Sequence, residues 1–153
     1  MHALELKVPP VAMVVLMASL IWLLSWALPS FAFAFPARGL FAVIFAGAGV
    51  VTSALGVLSF RRARTTVNPT RPDSSSSLVL SGVYAFTRNP MYLGFLLVLA
   101  GWTIFLSNAL AFLVLPAFIF YMNRFQIEPE ERALASLFGR EFDAYKSRVR
   151  RWL

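Results

Sequence analysis

Two short polar stretches hold nearly every side chain of this protein that is suited to chemistry. The first is Tyr84 followed by the run TRNPMYLG, which brings Arg88, Asn89 and Tyr92 to the mouth of a very apolar segment. The second, RFQIEPEE, sets Arg124, Gln126, Glu128, Glu130 and Glu131 at the close of another. The chain has no cysteine and its only histidine is His2. Thiol nucleophiles, thiolate metal sites and thiol-linked lipid anchors are therefore excluded, and a histidine-based metal or acid–base site has nothing to build on, so no metal is expected. What remains is recognition by arginine, amide, phenol and carboxylate. Pro90 suits the first position of a helix, where the leading N–H groups are unpaired and the dipole end is positive. A loop arriving there can grip a carboxylate with few side chains, and Arg88 strengthens the grip. One of the carboxylates of the second stretch can accept from a ligand's hydroxyl pair or ammonium. The same residues admit a plainer reading, in which Asn89 caps a helix, Arg88 reaches for headgroups, and Glu130 and Glu131 complement the first turn of a helix begun by Pro129.

The elements that must position these residues are membrane helices. Of 153 residues, 59% are hydrophobic and only 14% charged, with a mean hydropathy of +0.71, more apolar than a soluble domain of this length can hide. Residues 8–28, 39–60, 91–106 and 109–122 form apolar runs with no charged side chain inside them. A bilayer core needs about 20 such residues per helix, so the first two runs span alone and the last two read as a tight hairpin around Ser107 and Asn108. The expected fold is an all-α integral membrane protein with about four transmembrane helices. It forms a single membrane domain, 1–153, in which a loop (61–90) and an amphipathic tail (123–153) complete the site. Arg61, Arg62, Arg64, Arg71 and Arg88 mark the central loop and further arginines crowd the tail, which predicts that both segments and both termini are cytoplasmic. The formal charge of +7 then reflects topology and attraction to anionic lipid headgroups; without a DNA-reading motif, no nucleic-acid partner is expected. Lys7 and the Ala32-Phe33-Ala34 triplet have the look of a signal peptide, but the apolar run between them is long for one, and an uncleaved first helix is expected.

Within the second run, Ala42, Ala46, Gly49, Ser53 and Gly56 offer a small-residue face for close helix packing. Gly47 and Gly49 do not make a dinucleotide-binding loop, because Thr52 stands where the third glycine belongs. The polar stretch 65–77 is a connector or a lid over a site. Leu134, Leu137, Phe138, Phe142, Tyr145 and Val149 share roughly one face of the tail, interrupted by Gly139, which makes it an amphipathic cap.

Taken together, Ser81-Gly82-Val83-Tyr84, Arg88-Asn89-Pro90-Met91-Tyr92-Leu93-Gly94, Glu130-Glu131, Leu134, Phe138-Gly139, Tyr145 and Val149 resemble the isoprenylcysteine carboxyl methyltransferase and phospholipid methyltransferase group of integral membrane enzymes, over about residues 65 to 152. The resemblance implies a methyltransferase that uses S-adenosylmethionine, held on the cytoplasmic side between the loop before the third helix and the segment after the fourth. By position, Leu78 and Val79 would contact the cofactor, Tyr84 and Tyr92 would line its pocket, Asn89 and Pro90 would hold its amino-acid end, and Glu130 would bind its ribose or amino group. The chain departs from the family pattern at Asn89, where histidine is frequent. It also has Gln126 where a substrate-contacting arginine is common, and Arg124 is the candidate to replace that arginine in binding and catalysis. Because the short loops offer little surface for docking a protein and Gln126 cannot pair bidentately with a carboxylate, the expected acceptor is a lipophilic small molecule of isoprenoid or lipid type, with Arg124 as its anchor where it is a carboxylate. A non-enzymatic four-helix membrane protein, and behind it an NADPH-dependent membrane reductase, are the competing readings.

Overall fold

A computed structural model describes residues 5–63 and 77–153. Six α-helices follow one another: α1 (Pro10–Ala27), α2 (Arg38–Arg62), α3 (Pro90–Leu106), α4 (Val114–Tyr121), α5 (Glu128–Phe138) and α6 (Arg140–Arg148). A 3-10 turn (Leu110–Leu113) leads into α4 and a π-helical segment (Met122–Ile127) joins α4 to α5. The result is a continuous helical rod, Leu110–Phe138. Among the described residues the architecture is all-helical, and the isolated bridge Ala32–Asn108 is the sole extended pairing. Pro10–Ala27, Arg38–Arg62 and Leu110–Phe138 are long and apolar enough to cross a membrane. Pro90–Leu106, at 17 residues, is about 25 Å long at 1.5 Å per residue and makes the shorter fourth helix.

The packing is that of a lipid-facing bundle. α2 turns its small residues toward α3 and its large ones outward: Val43 and Val50 are 71% and 62% exposed, as befits side chains that meet lipid rather than water. A Cβ on Gly49 would stand 2.5 Å from the Gly94 carbonyl oxygen, and one on Gly101 would stand 2.8 Å from that of Ala42. The two backbones therefore touch where side chains would hold them apart, and Ser53 Oγ donates to the Met91 carbonyl across the same seam (3.2 Å). α1 closes the other side, with Met13 and Ile21 buried beside Leu99, Val114, Phe118 and Met122 and Trp102 Nε1 donating to the Ala18 carbonyl (3.1 Å).

One end of the bundle is stapled by backbone. Phe33 N–H donates to the Ser107 carbonyl and Ala109 N–H to that of Phe31, each at 2.9 Å. Asn108, fully buried, donates to the Leu28 carbonyl (2.9 Å) and accepts from Leu110 N–H (3.1 Å). This is the Ser107–Asn108 turn of the expected hairpin. Glu5 and Leu6, the end of α2, the start of α3 and the tail gather at the opposite end, where Leu6 N–H donates to the Phe125 carbonyl and Arg88 N–H to that of Arg150.

The last apolar run does not stop at Met122, as its composition suggests. The helix changes type there, running π through Met122–Ile127 and returning to α at Glu128, with Pro129 in the first turn. Pro129 has no N–H to give the turn before it, where Glu128 still donates five residues back to the Asn123 carbonyl, and the Phe125 carbonyl of that turn accepts the Leu6 N–H (3.1 Å). Gly139 separates α5 from α6 at φ 49°, ψ −121°, a conformation open to glycine and strained for other residues. His2, Arg64, Arg71 and, Ser77 apart, the 65–77 stretch lie outside the described residues.

Candidate functional site

Pro90 opens α3 and is itself buried, so the helix begins inside the protein and its leading N–H groups face the loop that precedes it. That loop reaches α3 through a 3-10 turn, Gly82–Ala85, packed on the end of α2, where the Tyr84 ring meets Phe60 edge-on at 5.3 Å. Tyr84 is buried, and its carbonyl accepts a hydrogen bond from the Tyr145 hydroxyl of α6 (2.7 Å). Burial, with the neighbouring Tyr145 and Glu130, pushes the Tyr84 phenol well above its ordinary range. Burial likewise pushes Tyr145 up to about 12. Both are neutral hydroxyls at physiological pH.

At the centre stand Tyr92, Gln126 and Glu130. Tyr92 lies in the first turn of α3 and is 4% exposed; Gln126 sits in the π segment and Glu130 in α5. The Tyr92 hydroxyl donates to Glu130 Oε1 (2.5 Å) and so does Gln126 Nε2 (2.8 Å). Gln126 and Glu130, four residues apart, share one face of the rod and reach α3 together. Among the described residues two neutral donors and no cation meet this carboxylate, both through Oε1, which leaves Oε2 as its acceptor for a further donor.

A second cluster adjoins it. The Glu131 carboxylate lies between two arginines: Arg88 Nη2 stands 2.9 Å from Oε1, while Arg151 donates through Nε to Oε1 (3.2 Å) and through Nη2 to Oε2 (2.8 Å). The planar fork of Arg151 matches the carboxylate, a geometry lysine cannot offer. The backbone of the tail fastens the loop as well, because the Arg151 carbonyl accepts from Asn89 Nδ2 (2.9 Å) and Thr87 Oγ1 (3.3 Å). Trp152 Nε1 donates to Asn123 Oδ1 (3.1 Å). Arg88 Nε, by contrast, is buried with no hydrogen-bond partner among the described residues. An unpaired guanidinium N–H beside the start of α3 is suited to an anion.

The structure thus brings Tyr84, Asn89, Pro90, Tyr92, Gln126 and Glu130 to one end of the bundle, with Val79 buried and Leu78 partly buried in the irregular stretch that leads to the Gly82 turn. Arg124 it places elsewhere. Its guanidinium contacts Glu5 (3.2 Å) and Glu128 (3.6 Å), on a face of the rod two residues round from Gln126. The Asn89 amide is turned to the tail's backbone. Sequence reasoning missed Arg151, Thr87, Asn123 and Glu5; their partners lie 20 to 127 residues away, and Arg151 reads as one more membrane-adjacent charge.

Comparison with known proteins bears on the same segments. The family model for phospholipid methyltransferase matches residues 37–141. An uncharacterized protein of Haemophilus influenzae is 52% identical over 63 residues, which is 41% of this chain and all of that protein. The protein-S-isoprenylcysteine O-methyltransferase of Saccharomyces cerevisiae is 36% identical over 83 residues, 52% of this chain and 34% of that enzyme. Its counterpart in Mus musculus is 37% identical over 73 residues, 48% of this chain and 26% of that enzyme. The match therefore spans about a third or less of either enzyme. No solved structure matches the chain.

Proposed function

The chain belongs to the phospholipid methyltransferase family, and on that premise we propose that it is a membrane methyltransferase that uses S-adenosylmethionine to methylate a lipophilic small molecule at the cytoplasmic face of the bilayer. The observation that carries the reading is the inward-facing Glu130 carboxylate, held through one oxygen by Tyr92 and Gln126. A carboxyl group held through one oxygen by two neutral donors has its other oxygen left to accept from a ligand, and Oε2 is our assignment for the cofactor's ribose hydroxyl or amino group.

The residues present fit the cofactor at both of its ends. Glu130 offers acceptor capacity for hydroxyl or ammonium, and Arg88 Nε, buried and unpaired, stands with the start of α3 where a carboxylate would be held. Asn89, bonded to the Arg151 carbonyl, supports that end by fixing the loop. Tyr84 and Tyr92 supply apolar walls. The cofactor brings a sulfonium-bound methyl group, open to in-line displacement by an acceptor nucleophile. The protein's contribution is alignment and exclusion of water, for which no histidine or cysteine is needed. The acceptor enters from the bilayer between helices whose outward side chains are apolar, and the polar cofactor enters from the cytoplasm.

Gln126 shapes the choice of acceptor. Its amide is engaged by Glu130 and cannot make the bidentate pair that an arginine makes with a carboxylate, so a membrane-soluble isoprenoid or lipid fits better than a prenylated protein. The decisive assay supplies labelled S-adenosylmethionine to the purified protein with a panel of membrane-extracted acceptors. Methyl transfer into the organic phase is expected; transfer into none of them from a folded sample contradicts the reading.

A further inference from the structure

Glu5 lies far from Tyr92 in sequence, yet it is tied to the same length of helix that carries Gln126 and Glu130. Its carboxylate, 5% exposed, divides its two oxygens between two arginines: Arg124 Nη1 at 3.2 Å from Oε1 and Arg132 Nη2 at 2.8 Å from Oε2. Those arginines stand eight residues apart, one before and one after Pro129. The next residue, Leu6, has φ 58°, a left-handed backbone that is strained for a leucine. Its N–H donates to the Phe125 carbonyl, in the turn that precedes Pro129 and receives no N–H from it. Three features of one short hook therefore converge on the π-to-α junction.

We propose that Glu5 is a positioning residue for Glu130: with Leu6 it splints the helix across Pro129 and so sets the rotation at which Gln126 and Glu130 meet Tyr92. Gln126 precedes Pro129 and Glu130 follows it, so their shared alignment depends on a junction from which one backbone hydrogen bond is missing. Arg124 and Arg132 occupy another face of the same junction, and a single carboxylate bridging them resists the twist that would part Gln126 from Glu130. A strained leucine that persists because its surroundings over-determine it fits such a device. Arg124 then serves the splint and not the acceptor.

The inference rests on the proposed use of Glu130 for the cofactor, and the test separates the two. Titrate the full-length protein in lipid nanodiscs with S-adenosylhomocysteine, and follow amide exchange over residues 126–131 in the same samples. Glu5→Ala is expected to weaken binding about tenfold, on the scale of one lost coupling between neighbouring side chains, and to raise exchange across the junction. Because the chain has no cysteine, a Glu5→Cys/Arg132→Cys protein can be joined by a short bifunctional thiol reagent. The link is expected to restore affinity to within about twofold and exchange to the wild-type level, which a mechanical splint requires and a purely electrostatic role does not. A Glu5→Ala protein with wild-type affinity and exchange overturns the splint, as does a linked protein that remains as weak as the unlinked one. If the wild type binds no cofactor, the proposed function fails, and the exchange arm alone decides for or against the splint.

Discussion

Tyr92 contributes to the site by what its hydroxyl does to Glu130, since both it and Gln126 spend a donor on the same oxygen. Removing that hydroxyl leaves the carboxylate half-held, and Tyr92→Phe is expected to weaken cofactor binding by about 0.5–1.5 kcal/mol, the usual net value of one hydrogen bond, with little loss of helix content. Equal affinity in the two proteins by titration would show that Glu130 does not depend on Tyr92. Tyr145 acts through its own proton. Its phenol is pushed up to about 12 by burial, whereas an unfolded tyrosine ionises near 10. Between those values the unfolded chain has lost the proton that the folded chain keeps, so stability should fall as pH rises through that window. Tyr145→Phe should flatten part of that slope in thermal melts between pH 9 and 12, the remainder belonging to the other buried phenols, Tyr84 among them; an unchanged slope would mean that the Tyr145–Tyr84 contact is not maintained.

Among the elements, α2 and α3 share the closest seam, and its specificity lies in the absence of side chains. Gly49→Leu would drive a side chain into the Gly94 carbonyl, 2.5 Å from the first added carbon, and is expected to cost about 1–3 kcal/mol or more by overpacking, with loss of α3 placement and of cofactor binding together. Gly47→Ala, where an added carbon meets nothing within 4 Å, is the matched control. Wild-type melting of Gly49→Leu in detergent would refute the contact. The glycine and alanine spacing of this seam is visible in the sequence because it repeats locally, as are the apolar runs and the helix start at Pro90. The course of the rod after Met122 is not. Charge composition there signals an end, whereas the helix continues through a π segment whose Phe125 carbonyl accepts from Leu6, over a hundred residues away. The candidate site was legible for the same reason and to the same extent: Tyr84, Tyr92 and Glu130 sit in recognisable local patterns, whereas Arg151, Thr87 and Asn123 matter through contacts that only the assembled tail creates.

For the molecule as a whole, the N-terminal hook, the loop before α3 and the last residues of the chain meet at one end of the bundle, so the site is closed by segments from both extremities. Deleting residues 150–153 removes the acceptors of Thr87, Arg88 and Asn89 and the fork on Glu131. Cofactor affinity should be lost while the spans, built without that segment, still insert; a truncated protein of full affinity would exclude the latch. The arginines at this same end predict a cytoplasmic location for it, and a reporter fused after Leu153 is expected to read as cytoplasmic. The central claim is that the Glu130 carboxylate receives the cofactor, and calorimetric titration of the folded full-length protein with S-adenosylhomocysteine tests it most directly. Saturable binding by the wild type is expected, weakened in Glu130→Ala by about 1–3 kcal/mol as a charge-assisted hydrogen bond is lost; absence of binding in the wild type, or undiminished binding in Glu130→Ala, would contradict it.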